Sequence, residues 1–298
     1  MNKQNKIPVQ VIRLSVIGLI IAAVVIFKIV TGNILETKID KLLGDLPKGA
    51  VTYQDASMDL FGLTVHLDGV KIQTNRNKPL LIDEIVLHSI DTENSIPQYM
   101  DIEINGIKSD LEALKVNRKM AYIVDGLEYK ELKSSIKIDY AFAKDKKMLD
   151  IKEVSLEIDN AGELTYNAKL YNITSLEGLA MQLNFAPQTV EFGKTSIRYE
   201  DNSLTDRILK IAAQQSHQEI DSFKEAIERN LEKNIETSRT NAKEYELMLN
   251  KALLQFVKNP KKLAFSISPD EPVSLSSADK IRSKDEFLKL LNLKISVN

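Results

Sequence analysis

The chain has 298 residues, 43% of them hydrophobic, and its 40 Lys and Arg against 42 Asp and Glu leave a formal net charge of -2. This is the composition of a folded body rather than a disordered one, without the basic excess of a nucleic-acid binder. The absence of Cys excludes disulfides, thiolate metal sites, Cys nucleophiles and acylation at a lipoprotein cysteine.

Residues 1–8 are a short tail carrying Lys3 and Lys6. Residues 9–30, VQVIRLSVIGLIIAAVVIFKIV, predict a transmembrane helix of ~33 Å, matching the ~30 Å hydrocarbon thickness of a bilayer. Leu14, Ile17, Ile20, Ile21, Val24, Val25 and Phe27 would supply the anchor, with Arg13 and Lys28 near its ends, where long cations snorkel. The uncharged stretch Leu14 to Phe27 also fits the apolar core of a secretory signal, but Val30-Thr31-Gly32 is a poor cleavage site, so a retained span is the stronger reading. Positive residues are nearly balanced on the two sides. A large downstream domain is translocated whatever its charge, which places the tail in the cytoplasm and residues beyond about 33 outside. A disulfide-free domain of that size suits a bacterial envelope, so the expectation is an inner-membrane protein with its main domain in the periplasm.

Residues 31–202 read as β-rich. Leu63, Val65 and Leu67 alternate with polar residues, as do Ile102 and Ile104, then Ile136, Ile138 and Tyr140, then Leu164, Tyr166 and Ala168, so about ten strands with one apolar face are expected up to Tyr199. At ~4.8 Å between neighbours they make a sheet ~50 Å wide. A short unit recurs at Leu67-Asp68-Gly69-Val70, Ile104-Asn105-Gly106-Ile107 and Val124-Asp125-Gly126-Leu127; each is a candidate tight turn or bulge. Lys108 to Tyr122 is a candidate helix between strands.

Residues 203–258 switch to helical spacing. Ser203 is the expected N-cap, with Asp206 three residues on, of a helix from Leu204 to about Gln215. A longer stretch from His217 to Val257 carries an apolar stripe interrupted between Glu236 and Glu244, where it either projects or folds into two antiparallel pieces. Residues 259–298 return to β through Leu263, Phe265 and Ile267, then pass from helix to strand between Phe287 and Val297. The expected fold is α+β: a transmembrane helix, then a curved, largely antiparallel sheet with a late helical hairpin inserted.

Catalytic chemistry is sparse. His66, His88 and His217 lack metal-ligand spacing, and Gly193-Lys194-Thr195 lacks the rest of a phosphate loop. Asp83 with Glu84, and Asp101 with Glu103, are the nearest carboxylate pairs; a solvated strand face accounts for them as well as acid–base work does. No enzyme activity, metal or cofactor is expected.

The run Val51-Thr52-Tyr53, then Asp59-Leu60-Phe61-Gly62 through Val70-Lys71-Ile72, then Pro79 to Ile85, downstream of an apolar segment, resembles the start of AsmA-like envelope proteins over residues 10–110. That resemblance implies a periplasmic sheet bent into an apolar trough for lipid. It points to Leu63, Val65, Leu67, Val70, Ile72, Ile102, Ile104 and Ile107 as groove-lining candidates and to membrane lipids as the partner. The late helical insertion departs from an extended trough. The competing reading is an interaction subunit of an envelope complex, with a closed core and another envelope protein as partner.

Overall fold

A computed structural model describes residues 51–59, 64–73, 79–91, 93–94, 96–109, 111–115, 117–241, 243–274 and 284–297. The anchor residues Leu14, Ile17, Ile20, Ile21, Val24, Val25 and Phe27, and groove candidate Leu63, lie outside these. Among the described residues no helix is long and apolar enough to cross a membrane.

The architecture is α+β and built on one twelve-stranded antiparallel sheet. Strands β1 (Val51–Thr52) and β2 (Asp55–Met58) both pair with β3 (Val65–Ile72). From there the chain meanders through β4 (Leu80–Ile90), β5 (Tyr99–Ser109), β6 (Leu132–Ala143), β7 (Met148–Ile158), β8 (Gly162–Tyr171), β9 (Glu191–Asp201), β10 (Lys262–Ile267) and β12 (Lys294–Val297), each beside its predecessor. Short β11 (Val273–Ser274) pairs with the start of β9. Among the described residues nine strands precede the helical insertion, against about ten expected.

Register shifts interrupt five consecutive ladders, from β4·β5 to β8·β9. Each inserts an extra residue, which increases local twist and bends the strand. Two of the Asx-Gly units lie inside strands with their glycines in the left-handed region, Gly69 (φ 60°) and Gly106 (φ 70°), and Gly106 falls within the β5·β6 register shift. The third, Asp125-Gly126, is no turn but the end of a helix.

The expected helix over 108–122 is displaced. Lys108 and Ser109 finish β5, and two short helices follow, α1 (Leu111–Leu114) and α2 (Arg118–Gly126). Asn117 starts α2 by accepting a hydrogen bond from the Met120 amide, at 2.9 Å. A helix that the spacing did not predict, α3 (Leu179–Phe185), lies between β8 and β9.

The insertion holds α4 (Leu204–Gln215), α5 (Ile220–Thr240) and α6 (Glu244–Lys258). The long stretch breaks between Thr240 and Glu244. Lys258 then lies 3.6 Å from Glu228 and 3.5 Å from Glu232, so α5 and α6 run antiparallel. Helix α7 (Lys284–Leu290) leads into β12.

Ser203 does not cap α4. Its Oγ donates to the Asn160 carbonyl (2.6 Å) and accepts from Arg207 Nε (3.2 Å), while Asp201 Oδ1 takes the Thr205 amide at 2.7 Å. A side chain two residues earlier does the capping because the hydroxyl is committed to tying β7–β8 to α4. Arg207 completes this knot: its guanidinium donates to the Leu127 carbonyl and stacks 4.2 Å from the Tyr129 ring centroid. Arg207→Ala is expected to cost about 1–3 kcal/mol. Hydrogen exchange should quicken in α4 while β5–β7 amides stay protected; equal change in both would disprove a local tie.

Candidate functional site: the apolar face of the sheet

Cross-strand pairing aligns two apolar rows over nine strands. One runs Val65, Leu87, Ile102, Ile138, Val154, Tyr166, Ile197, Phe265, Ile295, each directly opposite the next. The second runs Leu67, Ile85, Ile104, Ile136, Leu156, Leu164, Tyr199, Leu263, Val297. Eight inter-strand steps make each row ~38 Å long.

The irregular positions keep these rows on one face. Strict alternation would send Val70 to the opposite side from Leu67, and Ile107 to the opposite side from Ile104. Around Gly69 and Gly106 the spacing becomes three, and Val65, Leu67, Val70, Ile72, Ile102, Ile104 and Ile107 all join one buried cluster. The structure therefore brings together the seven described groove candidates, but as a packed core: none is more than 9% exposed.

Closure is uneven along the rows. From β3 to β7 the first row is buried, whereas Tyr166, Ile197, Phe265 and Ile295 are half-buried; the second row becomes half-buried from Ile136 onward. The helical insertion roofs part of this flank, with the Phe256 ring edge-on to Tyr199 at 6.1 Å. Burial alone pushes the Tyr166 phenol up to about 12; burial first, and then the hydrogen bond it donates to Asp201, raise Tyr199 as well. The sequence carried this flank in plain alternation at Ile197 and Tyr199, and at Leu263, Phe265 and Ile267, although no candidate was drawn from it.

One end of the core is closed by Ile173 and Val190, both fully buried, with Leu176, Leu179 and Leu183 packed against the same cluster. The β4–β5 connection at that end is fastened by Asp91, which accepts from the amides of Glu93 and Gln98 and from the Asn94 side chain.

The opposite face is polar. The row His66, Val86, Glu103, Lys137, Ser155, Thr165, Arg198 runs back to back with the first apolar row. His66 Nδ1 lies 2.9 Å from Glu84, and Glu103 sits 3.1 Å from Lys137 and 3.5 Å from His88. Asp101 stands across from Asp139. Glu84 and Glu103 belong to a partly exposed ion-pair surface rather than a shared cleft, whereas Asp101 Oδ1 is buried without a hydrogen-bond partner. Among the described residues no cluster of three or more His, Asp or Glu could hold a metal ion. The Gly193-Lys194-Thr195 triplet lies in β9 at a register shift and opens no helix.

Asp83 is the best-paired carboxylate here. Hydrogen bonds from Lys108 (2.8 Å) and Lys133 (2.7 Å) hold it below its ordinary value of 3.8. A depressed folded value means stabilisation present above the unfolded value and lost as pH falls through the folded one. Asp83→Asn should therefore be less stable than the parent at pH 6, by under ~1 kcal/mol for so exposed a group, and the gap should shrink as the pH is taken well below 3.8. Urea midpoints at both pH values test this; a gap that widens in acid would refute it.

The fold and face define a class: a one-sided antiparallel sheet with a continuous apolar face and a helical cover at one flank. A family model described only as an uncharacterized protein matches residues 155–298. That segment starts inside β7 and takes in the half-buried flank, the helical insertion and the C-terminal strands. No curated protein matches the sequence.

Proposed function

We propose that this chain is a non-enzymatic, membrane-anchored protein that handles lipid acyl chains at the bacterial inner membrane, with its sheet on the periplasmic side. The carrying observation is the pair of unbroken apolar rows, the first buried over β3–β7 and the second over β3–β5, and both half-buried from there to β12. A structural core needs to be apolar but need not stay so for ~38 Å onto a flank that is left half open. An acyl chain of one leaflet spans about half of a ~30 Å hydrocarbon core, so the β8–β12 flank is wide enough to take one. This reading includes the AsmA-like kinship proposed for residues 10–110 and the anchor proposed for residues 9–30.

Native mass spectrometry of the detergent-extracted full chain tests it. Lipid adducts should appear and be lost on Ile197→Asp or Phe265→Asp, with circular dichroism unchanged. Adducts unaffected by either substitution, or none in parent and variants alike, would overturn it. A second reading, an interaction subunit of an envelope complex, is favoured by the closure of the β3–β7 half, and the adduct-free outcome with a co-purifying envelope protein would support it.

A further inference from the structure

We infer that α3 and the β6–β7 turn form a docking edge for an anionic phospholipid bilayer. On α3, Leu179 and Leu183 pack against the core, whereas Met181 and Phe185 point away and are 66% and 81% exposed. They are four residues apart and so share one helical face. The helix is braced from behind: Gln182 donates to the Asn172 carbonyl (2.7 Å) and to Thr189 (3.0 Å) and accepts the Thr174 amide (3.1 Å). The two apolar side chains are thus held outward by a fixed support.

Charge identifies the occupant. The Ile173 amide donates to the Lys147 carbonyl at 3.0 Å, which fastens the turn Lys144-Asp145-Lys146-Lys147 beside the α3 connection. All four turn residues are exposed, and the turn carries net +2. Glu177 is the exposed acid of the α3 connection. Exposed Phe and Met beside clustered Lys is the pattern of interfacial membrane binding, in which apolar side chains enter the headgroup boundary and cations meet anionic lipid.

Reach is sufficient. Val51 pairs with Ile72, at the end of the sheet away from α3, and eleven-residue strands such as β4 separate the ends by ~37 Å. The twenty residues 31–50 span at most ~70 Å, so this edge can meet the bilayer that would hold residues 9–30. Docking there sets the Ile173–Val190 end of the apolar core against lipid. The purpose rests on the proposed lipid handling, but docking is measured separately.

The sequence has no Trp, so Phe185→Trp introduces a single indole that can be excited selectively over the nine Tyr. In the full chain reconstituted into vesicles containing phosphatidylglycerol, its emission should shift to the blue and be quenched by brominated acyl chains. Both effects should be lost in K144E/K146E/K147E and weaken in pure phosphatidylcholine. An indole placed by Tyr122→Trp, on α2 at the other end of the sheet, should stay unquenched. Solvent-like, unquenched emission overturns the inference. So does quenching at both positions, or a concentration-dependent blue shift without bromine quenching, which would assign the face to a second copy of the chain. A chain that shows the quenching yet carries no lipid by mass spectrometry keeps the docking edge and loses the lipid-handling reading.

Discussion

Ile85→Ala lowers the unfolding free energy by about 3–4 kcal/mol, seen as a fall in melting temperature of roughly 6–15 °C for a domain of this size. Ile85 is fully buried and sits between Leu67 and Ile104 in the second apolar row. Removing its three outer carbons forfeits their transfer free energy and leaves a cavity in a sheet whose backbone is pinned on both sides. Phe265→Ala deletes more carbon but lies on the half-buried flank, so it should cost less, about 1–2 kcal/mol, because solvent already reaches the site. The order of the two costs is the informative result. If Ile85→Ala were the milder, the β3–β7 half would be an open trough, and the division into closed core and half-open flank would fail.

Gly106→Ala is the second large effect, about 2–3 kcal/mol. Gly106 has φ of 70°, where an L side chain costs ~1–2 kcal/mol. An added Cβ would also lie 2.4 Å from Asp83 Oδ2 and 2.7 Å from Asp83 Cβ, so Asp83 would have to leave Lys108 and Lys133. The two contributions separate in a double-mutant cycle. In an Asp83→Gly background only the backbone cost remains, and Gly106→Ala should be milder by ~1 kcal/mol or more. Equal cost in both backgrounds would mean the contact with Asp83 is irrelevant.

What the sequence conveyed follows from the range of each interaction. Helix α4 over Leu204–Gln215 and the break between α5 and α6 were legible because amphipathic spacing is local. Strand faces were legible for the same reason, as Leu67 and Ile104 show. The partners of those faces were not, since they depend on pairings across tens of residues. Ser203 looked like a cap because the pattern was right; its hydroxyl is drawn instead to Asn160, 43 residues earlier. Helix α3 escaped notice because LAMQLNF is too short to show a period. The half-open flank escaped because Ile197, Phe265 and Ile295 look like three unrelated strands until register puts them in one row.

The meander has a consequence for how the chain is built. Because each main strand pairs with its predecessor, most of the sheet grows by closing short loops, which is fast and keeps contact order low for a β protein. The longest connection is β9 to β10, separated by the helical excursion of residues 202–261. Emerging from a ribosome N-terminus first, β3–β9 can zip sequentially, while β10 must wait for the helices to be made. The last flank to be assembled is then the same one left half open in the finished fold, so an interruption of synthesis or folding would expose Ile197 and Tyr199 before any other part of the apolar face.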